Sequence, residues 1–290
     1  LFRSKPYYIN RDNLKEKKKL VNILIKRKLN LIPLVKKNSK IFIKAIFYEN
    51  IIKKNDYKNK IKTNNTPIVI MAGGKGTRLK PFTDILPKPL MPIKNKTVIE
   101  KIILNFESQG YRNFIVTVNH KAEILKAYFK ELKLNVKIQI IEEKKELGTA
   151  GSLSMLKNIK SEFILTNCDN IYNFHYLDIL REHKKNSNAL TITVAKKKIK
   201  IPYGVCKFNE GKFKTIKEKP SYNYLVNAGM YVVSKSIIKL IKKNTKLDMD
   251  KFLKLLQLNN KKIGSYEIKE NQWYDTGQWN ELKRTIEKYS

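Results

Sequence analysis

The chain has 290 residues, with 61 Lys plus Arg against 25 Asp plus Glu, and two cysteines, Cys168 and Cys206. Its 42% hydrophobic content is enough for a sizeable core, which excludes wholesale disorder, while two distant cysteines exclude a disulfide scaffold and a four-ligand zinc site. No apolar run approaches the roughly 18–20 residues of a membrane span, so no membrane partner is expected, and the sparse cysteines suit a reducing, cytoplasmic setting.

Residues 1–62 read as one segment. A helical pattern covers 14–29, a strand-like run 31–35, a polar turn 36–40 and a second strand 41–47, and a helix begins over 49–54. Residues 55–66 are polar and read as a linker. The chain starts at Leu1 with neither an initiator Met nor a signal-peptide core, as part of a longer protein would. From residue 67 the pattern becomes strand–helix alternation. A short buried strand at 67–71 enters a glycine-rich loop. Thr97 caps a helix whose apolar positions are Val98, Ile99, Ile102, Ile103 and Phe106, with Gly110 as its stop. A strand at 114–118, a helix at 122–132, a strand at 136–141, a helical stretch at 150–156 and a buried strand at 163–166 follow. Further strands are expected at 190–195, 204–208, 213–218 and 226–233, and helices at 235–242, 250–257 and 278–288. Such alternation predicts a doubly wound α/β domain over 67–290, its mixed, mainly parallel sheet covered by helices on both faces. No solenoid repeat is present.

The formal charge of +36 invites nucleic acid as a partner. Lysine, however, is scattered through nearly every segment beside abundant Asn and Ile, and no Arg-rich arm, RNA-binding aromatic motif or zinc-finger spacing accompanies it. No nucleic-acid partner is therefore expected; the positive field suits small phosphorylated substrates.

The chemistry-bearing segment is Met71-Ala72-Gly73-Gly74-Lys75-Gly76-Thr77-Arg78-Leu79, followed by Pro81, Pro87-Lys88-Pro89 and Pro92. Glycines directly after a strand let backbone N–H groups approach phosphate oxygens, and Thr77 and Arg78 add a hydroxyl donor and a planar cation. The glycine spacing is neither that of a P-loop nor that of the dinucleotide fingerprint. Asp169 ends the apolar run Phe163-Ile164-Leu165, where a carboxylate is costly unless paired; a helix N-cap is the plainer alternative. Lys219 taken alone is a solvated lysine in a Lys-rich chain. Cys168 has no partnered histidine, and His175 no supporting motif, so a thiol nucleophile is not expected.

Gly-Gly-x-Gly-Thr-Arg-Leu-x-Pro followed by Pro-Lys-Pro-Leu resembles the signature of the sugar-1-phosphate nucleotidyltransferases. Further blocks fall in that family's order: Glu146-Leu147-Gly148-Thr149-Ala150-Gly151, Thr166-Asn167-Cys168-Asp169, Pro202-Tyr203-Gly204-Val205, Glu218-Lys219-Pro220, Asn227-Ala228-Gly229 and Trp273-Tyr274-Asp275-Thr276-Gly277. The resemblance covers 67–290 and implies a Rossmann-like fold in which a nucleoside triphosphate and a sugar 1-phosphate give a nucleotide-sugar and pyrophosphate. It implies that Ala72, Gly73, Gly74, Gly76, Thr77 and Arg78 bind the triphosphate, with Arg78 on the departing pyrophosphate and Lys88 at the α-phosphate. It also implies that Asp169 and Asp275 hold magnesium, that Glu142 and Gly148 read the base, and that Gly204, Glu218, Lys219 and Asn227 bind the sugar phosphate. Two positions depart from the family: Lys75 replaces an apolar residue, and Cys168 the more usual glycine.

Ile32-Pro33-Leu34-Val35, a polar turn and Lys40-Ile41-Phe42-Ile43-Lys44-Ala45-Ile46 resemble the strand–turn–strand centre of a CBS module. Such modules pair in twos and often bind adenine nucleotides. That implies either an adenine nucleotide effector and a homo-oligomer or an upstream module, or else a plain appendage. Relatives with this layout point to a guanylyl transfer onto a hexose or amino-sugar 1-phosphate, for cell-surface glycan synthesis. Thymidylyl, uridylyl and cytidylyl transfer stay open, as does a non-catalytic nucleotide sensor.

Overall fold

The computed structural model describes the backbone of residues 32–37 and 40–44, and residues 64–157 and 159–288 in full. The chain divides into two units, Leu1–Ile61 and Lys62–Ser290. In the first, β1 (Ile32–Lys37) pairs antiparallel with β2 (Lys40–Lys44), Leu34 opposite Phe42, where the strand–turn–strand was expected. The expected helices at 14–29 and 49–54, and with them most of the CBS-like module and its effector, lie outside the described residues.

The second unit is an α/β sandwich. Its strands are β3 (Ile68–Ala72), the short pair β4 (Pro92–Ile93) and β5 (Lys96–Thr97), then β6 (Asn113–Val118), β7 (Lys137–Glu142), β8 (Phe163–Asn167) and β9 (Asn170–Tyr172). They continue with β10 (Leu190–Lys200), β11 (Val205–Asn209), β12 (Lys212–Lys217), β13 (Ser221–Val233), β14 (Ile263–Ile268) and β15 (Trp273–Asp275). The helices are α1 (Val98–Ser108), α2 (Ala122–Glu131), the single turn α3 (Gly148–Gly151), α4 (Tyr176–Lys185), α5 (Met249–Leu258) and α6 (Trp279–Lys288).

Seven strands form the central sheet in the order β14-β10-β13-β8-β3-β6-β7. Only β13 runs against its neighbours within that sheet, so it is mixed but mainly parallel, as predicted. Successive residues of a strand face opposite sides, and a strand buried on both faces must therefore be apolar throughout. In β3, Ile68, Ile70 and Ala72 join the side chains of α1 and α4 on one face, while Val69 joins Phe252 and Leu256 of α5 on the other. The Thr97 hydroxyl caps α1 by accepting from the Glu100 N–H at 3.3 Å, and Gly110 ends that region with φ of 92°.

Several elements differ from expectation. The stretch 150–156 is α3 followed by a 3₁₀ turn, Ser152–Met155, and 235–242 is a 3₁₀ turn, Lys235–Leu240. Helix α4 and strands β9, β14 and β15 were not foreseen. Strands β10 and β13 run on past the sheet as a two-stranded ribbon, Lys196–Lys200 against Ser221–Leu225, whose polar residues gave no strand signal. No helix among the described residues is long and apolar enough to cross a membrane.

Candidate active site

Connections from β3 lead to β6 and β7 on one side of it, and the chain then returns to β8 on the other. That reversal opens a crevice at the carboxyl ends of β3 and β8, where open α/β sheets bind ligands. The glycine-rich loop leaves β3 and Asp169 follows β8 at this one point. Within the loop, Gly76 adopts φ of 67°, and a Cβ there would stand 2.9 Å from the Lys88 Cβ and 3.0 Å from the Thr83 Cγ2. Glycine is therefore required both for the turn and for the close approach of the Lys88 segment. The Thr83 hydroxyl donates to the Gly76 carbonyl at 3.0 Å, and buried Leu79 anchors the turn that carries Thr77 and Arg78. Gly74 has open space around its Cβ position, and Thr77 and Arg78 are exposed.

Lys88 sits in a 3₁₀ turn, Lys88–Leu90, pinned by buried Pro89 and Leu90, and its Nζ donates to Asp169 Oδ2. Both side chains are largely buried. Asp275 arrives from the other end of the chain on β15, which pairs antiparallel with β9 and puts Asp275 opposite Asn170. The Thr276 N–H and hydroxyl both donate to the Asp169 carbonyl, at 2.8 and 2.7 Å, and the Gly277 N–H donates to Asp275 Oδ1 at 2.7 Å. Gly277 is the point of convergence. A Cβ on it would stand 2.5 Å from Asp169 Oδ2, 2.9 Å from Asp275 Oδ1 and 2.9 Å from Lys88 Nζ. Two carboxylates and one ammonium thus share a volume one methyl group would fill.

The electrostatics of this cluster favour a cation. Burial pushes the Asp275 carboxyl above its usual range. The Gly277 N–H offsets this in part, the Asp169 charge adds to it, and Lys88 and Arg78 oppose it. Asp169 Oδ1 is buried with no hydrogen-bond partner. An orphaned carboxylate oxygen beside a second carboxylate is expensive unless a cation or donor meets it. The pair therefore fits a hard divalent ion that takes one or two protein carboxylates. Among the described residues no group of three or more His, Cys, Asp or Glu that could hold a metal occurs, so this site offers two carboxylates and no third protein ligand of that kind.

The base-reading expectation places two residues apart. Glu142 ends β7 and turns its carboxylate onto Lys126 of α2. Glu143, which the sequence reading did not single out, is buried. Its Oε1 lies 3.0 Å from the Gly73 Cβ position, and its Oε2 accepts from the Leu147 N–H at 3.2 Å. Burial raises its carboxyl pKa, against the Leu147 N–H and the Thr117 hydroxyl. Asn119, also missed, donates to the Glu143 carbonyl at 2.7 Å. The only signal available was strand alternation, which puts Glu142 and Glu143 on opposite sides. Gly148 adopts φ of 74° and packs against Leu247 and Asp248, where a Cβ would meet Asp248 Oδ1 at 2.5 Å.

On the second-half side, Glu218 packs against Gly204, whose Cβ position lies 3.0 Å from Glu218 Oε2, and Lys219 takes φ of 40° beside it. The Asn227 amide donates to the Tyr231 hydroxyl at 2.6 Å and accepts from the Gly229 N–H at 2.9 Å. Gly229 in turn lies against the amides of Asn167 and Asn170, which brings Asn227 to the Asp169 end of β8. Lys75 is exposed. Burial, with the Asp169 charge next, pushes the Cys168 thiol up to about 12, so it is no nucleophile.

Comparison with known proteins agrees with this architecture. Residues 68–290 match the Nucleotidyl transferase family. A mannose-1-phosphate guanyltransferase of Yarrowia lipolytica is 32% identical over 223 residues, which is 72% of this chain and 60% of that protein. The chain thus spans about 60% of the length of that curated relative. The crystal structure of HddC from Yersinia pseudotuberculosis superposes with a TM-score of 0.61 at 26% identity, covering 78% of this chain and 100% of HddC. HddC complexed with GMP-PN gives 0.60 at 24% identity over the same shares, a likeness of fold. From the match over 68–290 and a sheet that places the glycine loop, Lys88, Asp169 and Asp275 in one crevice, the chain belongs to the nucleotidyl transferase family.

Proposed function

We propose that this protein transfers a guanylyl group from GTP to a hexose or amino-sugar 1-phosphate, giving a nucleotide-sugar and pyrophosphate. The observation that carries the reading is the convergence of Lys88, Asp169 and Asp275 around Gly277, beside the glycine loop. The mannose-1-phosphate guanyltransferase likeness and the GMP-PN complex of HddC support the choice of base and sugar class.

The reaction needs no protein nucleophile. A phosphate oxygen of the sugar 1-phosphate attacks the α-phosphorus, the bond to the bridging α–β oxygen breaks, and pyrophosphate leaves with that electron pair. Catalysis is therefore positioning and charge neutralisation. The backbone of residues 72–77 cradles the triphosphate and Arg78 holds the leaving pyrophosphate. Lys88 meets the α-phosphate, where charge builds in the transition state. Asp169 and Asp275 would hold magnesium, which when bound neutralises phosphate charge. Glu143 rather than Glu142 accepts from the guanine N1–H and amino donors in this reading. Support comes from its place against Gly73, while Glu142 is occupied by Lys126. Gly204, Glu218, Lys219 and Asn227 bind the sugar phosphate. The free cysteines Cys168 and Cys206 support a reducing, cytoplasmic setting.

The test is pyrophosphate release with magnesium, crossing GTP, ATP, dTTP, UTP and CTP with a panel of hexose and amino-sugar 1-phosphates. The reading expects turnover with GTP and one such sugar phosphate. Turnover with another nucleotide alone moves the base assignment, and silence across the panel overturns the activity.

A further inference from the structure

A bulge separates the carboxylates from the sugar side. In β13, Tyr231 pairs with Ile192 of β10 but the next pair is Asn227 with Val194, and the last pair with β8 is Met230 with Thr166. Ala228 and Gly229 have therefore left both ladders. The Ala228 carbonyl, in a fully buried residue, would be orphaned there. Two side chains of β9 meet it instead: the Asn170 amide donates at 3.1 Å and the Tyr172 hydroxyl at 2.6 Å. Burial holds the Tyr172 phenol well above its usual pKa, so it stays an O–H donor.

The Asn170 amide does more than close that bond. Its oxygen accepts from the Trp273 indole N–H at 3.2 Å, its nitrogen fills the space at Gly229, 2.5 Å from the Cβ position there, and its backbone pairs with Asp275. It also follows Asp169 directly. One amide, only 4% exposed, thus ties the Asp169 strand end, the Asp275 strand and the Asn227-Ala228-Gly229 bulge together. Its nitrogen and its oxygen are both taken up by protein partners, the Ala228 carbonyl and the Trp273 indole.

We infer that Asn170 is a positioning residue that fixes the Asp169–Asp275 carboxylate pair relative to the sugar-side bulge, whereas Tyr172 helps to hold only the bulge. The inference rests on the proposed function for its kinetic consequences but not for its effect on cation binding. The test uses Asn170→Ser, Tyr172→Phe and Trp273→Phe in the full chain, each checked for folding by circular dichroism. Mn²⁺ binding to the protein without substrates is titrated by electron paramagnetic resonance.

Asn170→Ser is expected to weaken Mn²⁺ binding and to lower kcat, each about tenfold, as loss of a buried hydrogen-bonding amide does, while KM for the triphosphate stays within about twofold. Tyr172→Phe is expected to raise KM for the sugar phosphate while leaving Mn²⁺ binding unchanged. Trp273→Phe, which frees the other end of the same amide, weakens Mn²⁺ binding in the same direction and decides the matter if Asn170→Ser does not fold. A merely structural amide would lower thermal stability and leave Mn²⁺ affinity and kcat within about twofold, and that result overturns the inference. A rise in sugar-phosphate KM alone in Asn170→Ser, making the amide a substrate ligand, overturns it too. Wild-type protein without turnover defeats the proposed function, and the Mn²⁺ titrations still decide the role of Asn170.

Discussion

Replacing Gly277 with alanine tests whether the three charged groups must converge. Gly277 is not in the left-handed region, so the backbone accepts alanine and the effect is steric. The added Cβ would sit 2.5 Å from Asp169 Oδ2 and 2.9 Å from both Asp275 Oδ1 and Lys88 Nζ. Ordinary contacts require these groups to retreat by about 0.5–1 Å, and a misplacement of that size at reacting groups costs on the order of 100-fold in rate. In free energy that is about 2.7 kcal/mol of transition-state stabilisation. Folding suffers less. Alanine removes about 0.4–1 kcal/mol of unfolded-state freedom, against a clash of about 1–3 kcal/mol, so Tm falls by only a few degrees. The assay is pyrophosphate release at saturating magnesium, with Tm measured alongside. A Gly277→Ala protein that keeps more than about a third of wild-type kcat would refute the claim that Lys88, Asp169 and Asp275 act as one compact cluster.

Four further outcomes follow from particular residues. Gly74→Ala meets nothing within 4 Å in the protein, so Tm is expected to hold while KM for the triphosphate rises about tenfold; an unchanged KM would move the triphosphate off this loop. Burial raises the carboxyl pKa of Asp275 and Glu143, so the cation-free fold is favoured with both protonated and loses that stability as pH rises through their raised values. Magnesium, which needs ionised Asp275, is therefore expected to raise Tm more near pH 7.5 than near pH 5; an equal gain at both would contradict the carboxylate site. Glu142→Ala is expected to change kinetics little, its ion pair being exposed, whereas Glu143→Gln raises KM for GTP; the reverse ranking would return base reading to Glu142. Thiol titration of the native protein at mildly alkaline pH is expected to label exposed Cys206 quickly and Cys168 only on unfolding, because burial pushes the Cys168 thiol up to about 12; rapid labelling of both would show that pocket to be open.

What the sequence made legible follows from where side chains carry the information. The central strands were readable because a strand covered on both faces is apolar along its length, as β3 is and as β8 is over Phe163-Ile164-Leu165, and α1 because Thr97 caps a long apolar stripe. Helix α4 went unseen although Tyr176, Ile179, Leu180 and His183 are buried at helical spacing: the last is a histidine, and the rest of the helix, Leu177 apart, is charged. His183 fits there because its ring nitrogens meet the Thr191 and Ser234 hydroxyls at 2.9 and 3.0 Å, partners that only folding supplies. Strands β9 and β15 have three residues each, too few to show a period, yet their pairing is what brings Asp275 to Asp169. The metal-binding expectation for both carboxylates came from a family motif; the structure adds the orphaned oxygen and the shared space at Gly277. Asn170 and Tyr172 were not singled out because their roles depend on a bulge in β13, 58 and 56 residues away in sequence, which tertiary structure alone brings to them, and Trp273 was read only as part of a family block.

The central claim, that the α-phosphate moves onto a sugar phosphate, is tested most directly with GTP labelled on that phosphate, incubated with magnesium and a hexose 1-phosphate, with Asp169→Asn as the blank. The account predicts the label in a nucleotide-sugar, unlabelled pyrophosphate in equal amount, and neither product in the blank. Label recovered as free GMP, or the same yield from Asp169→Asn, would contradict it.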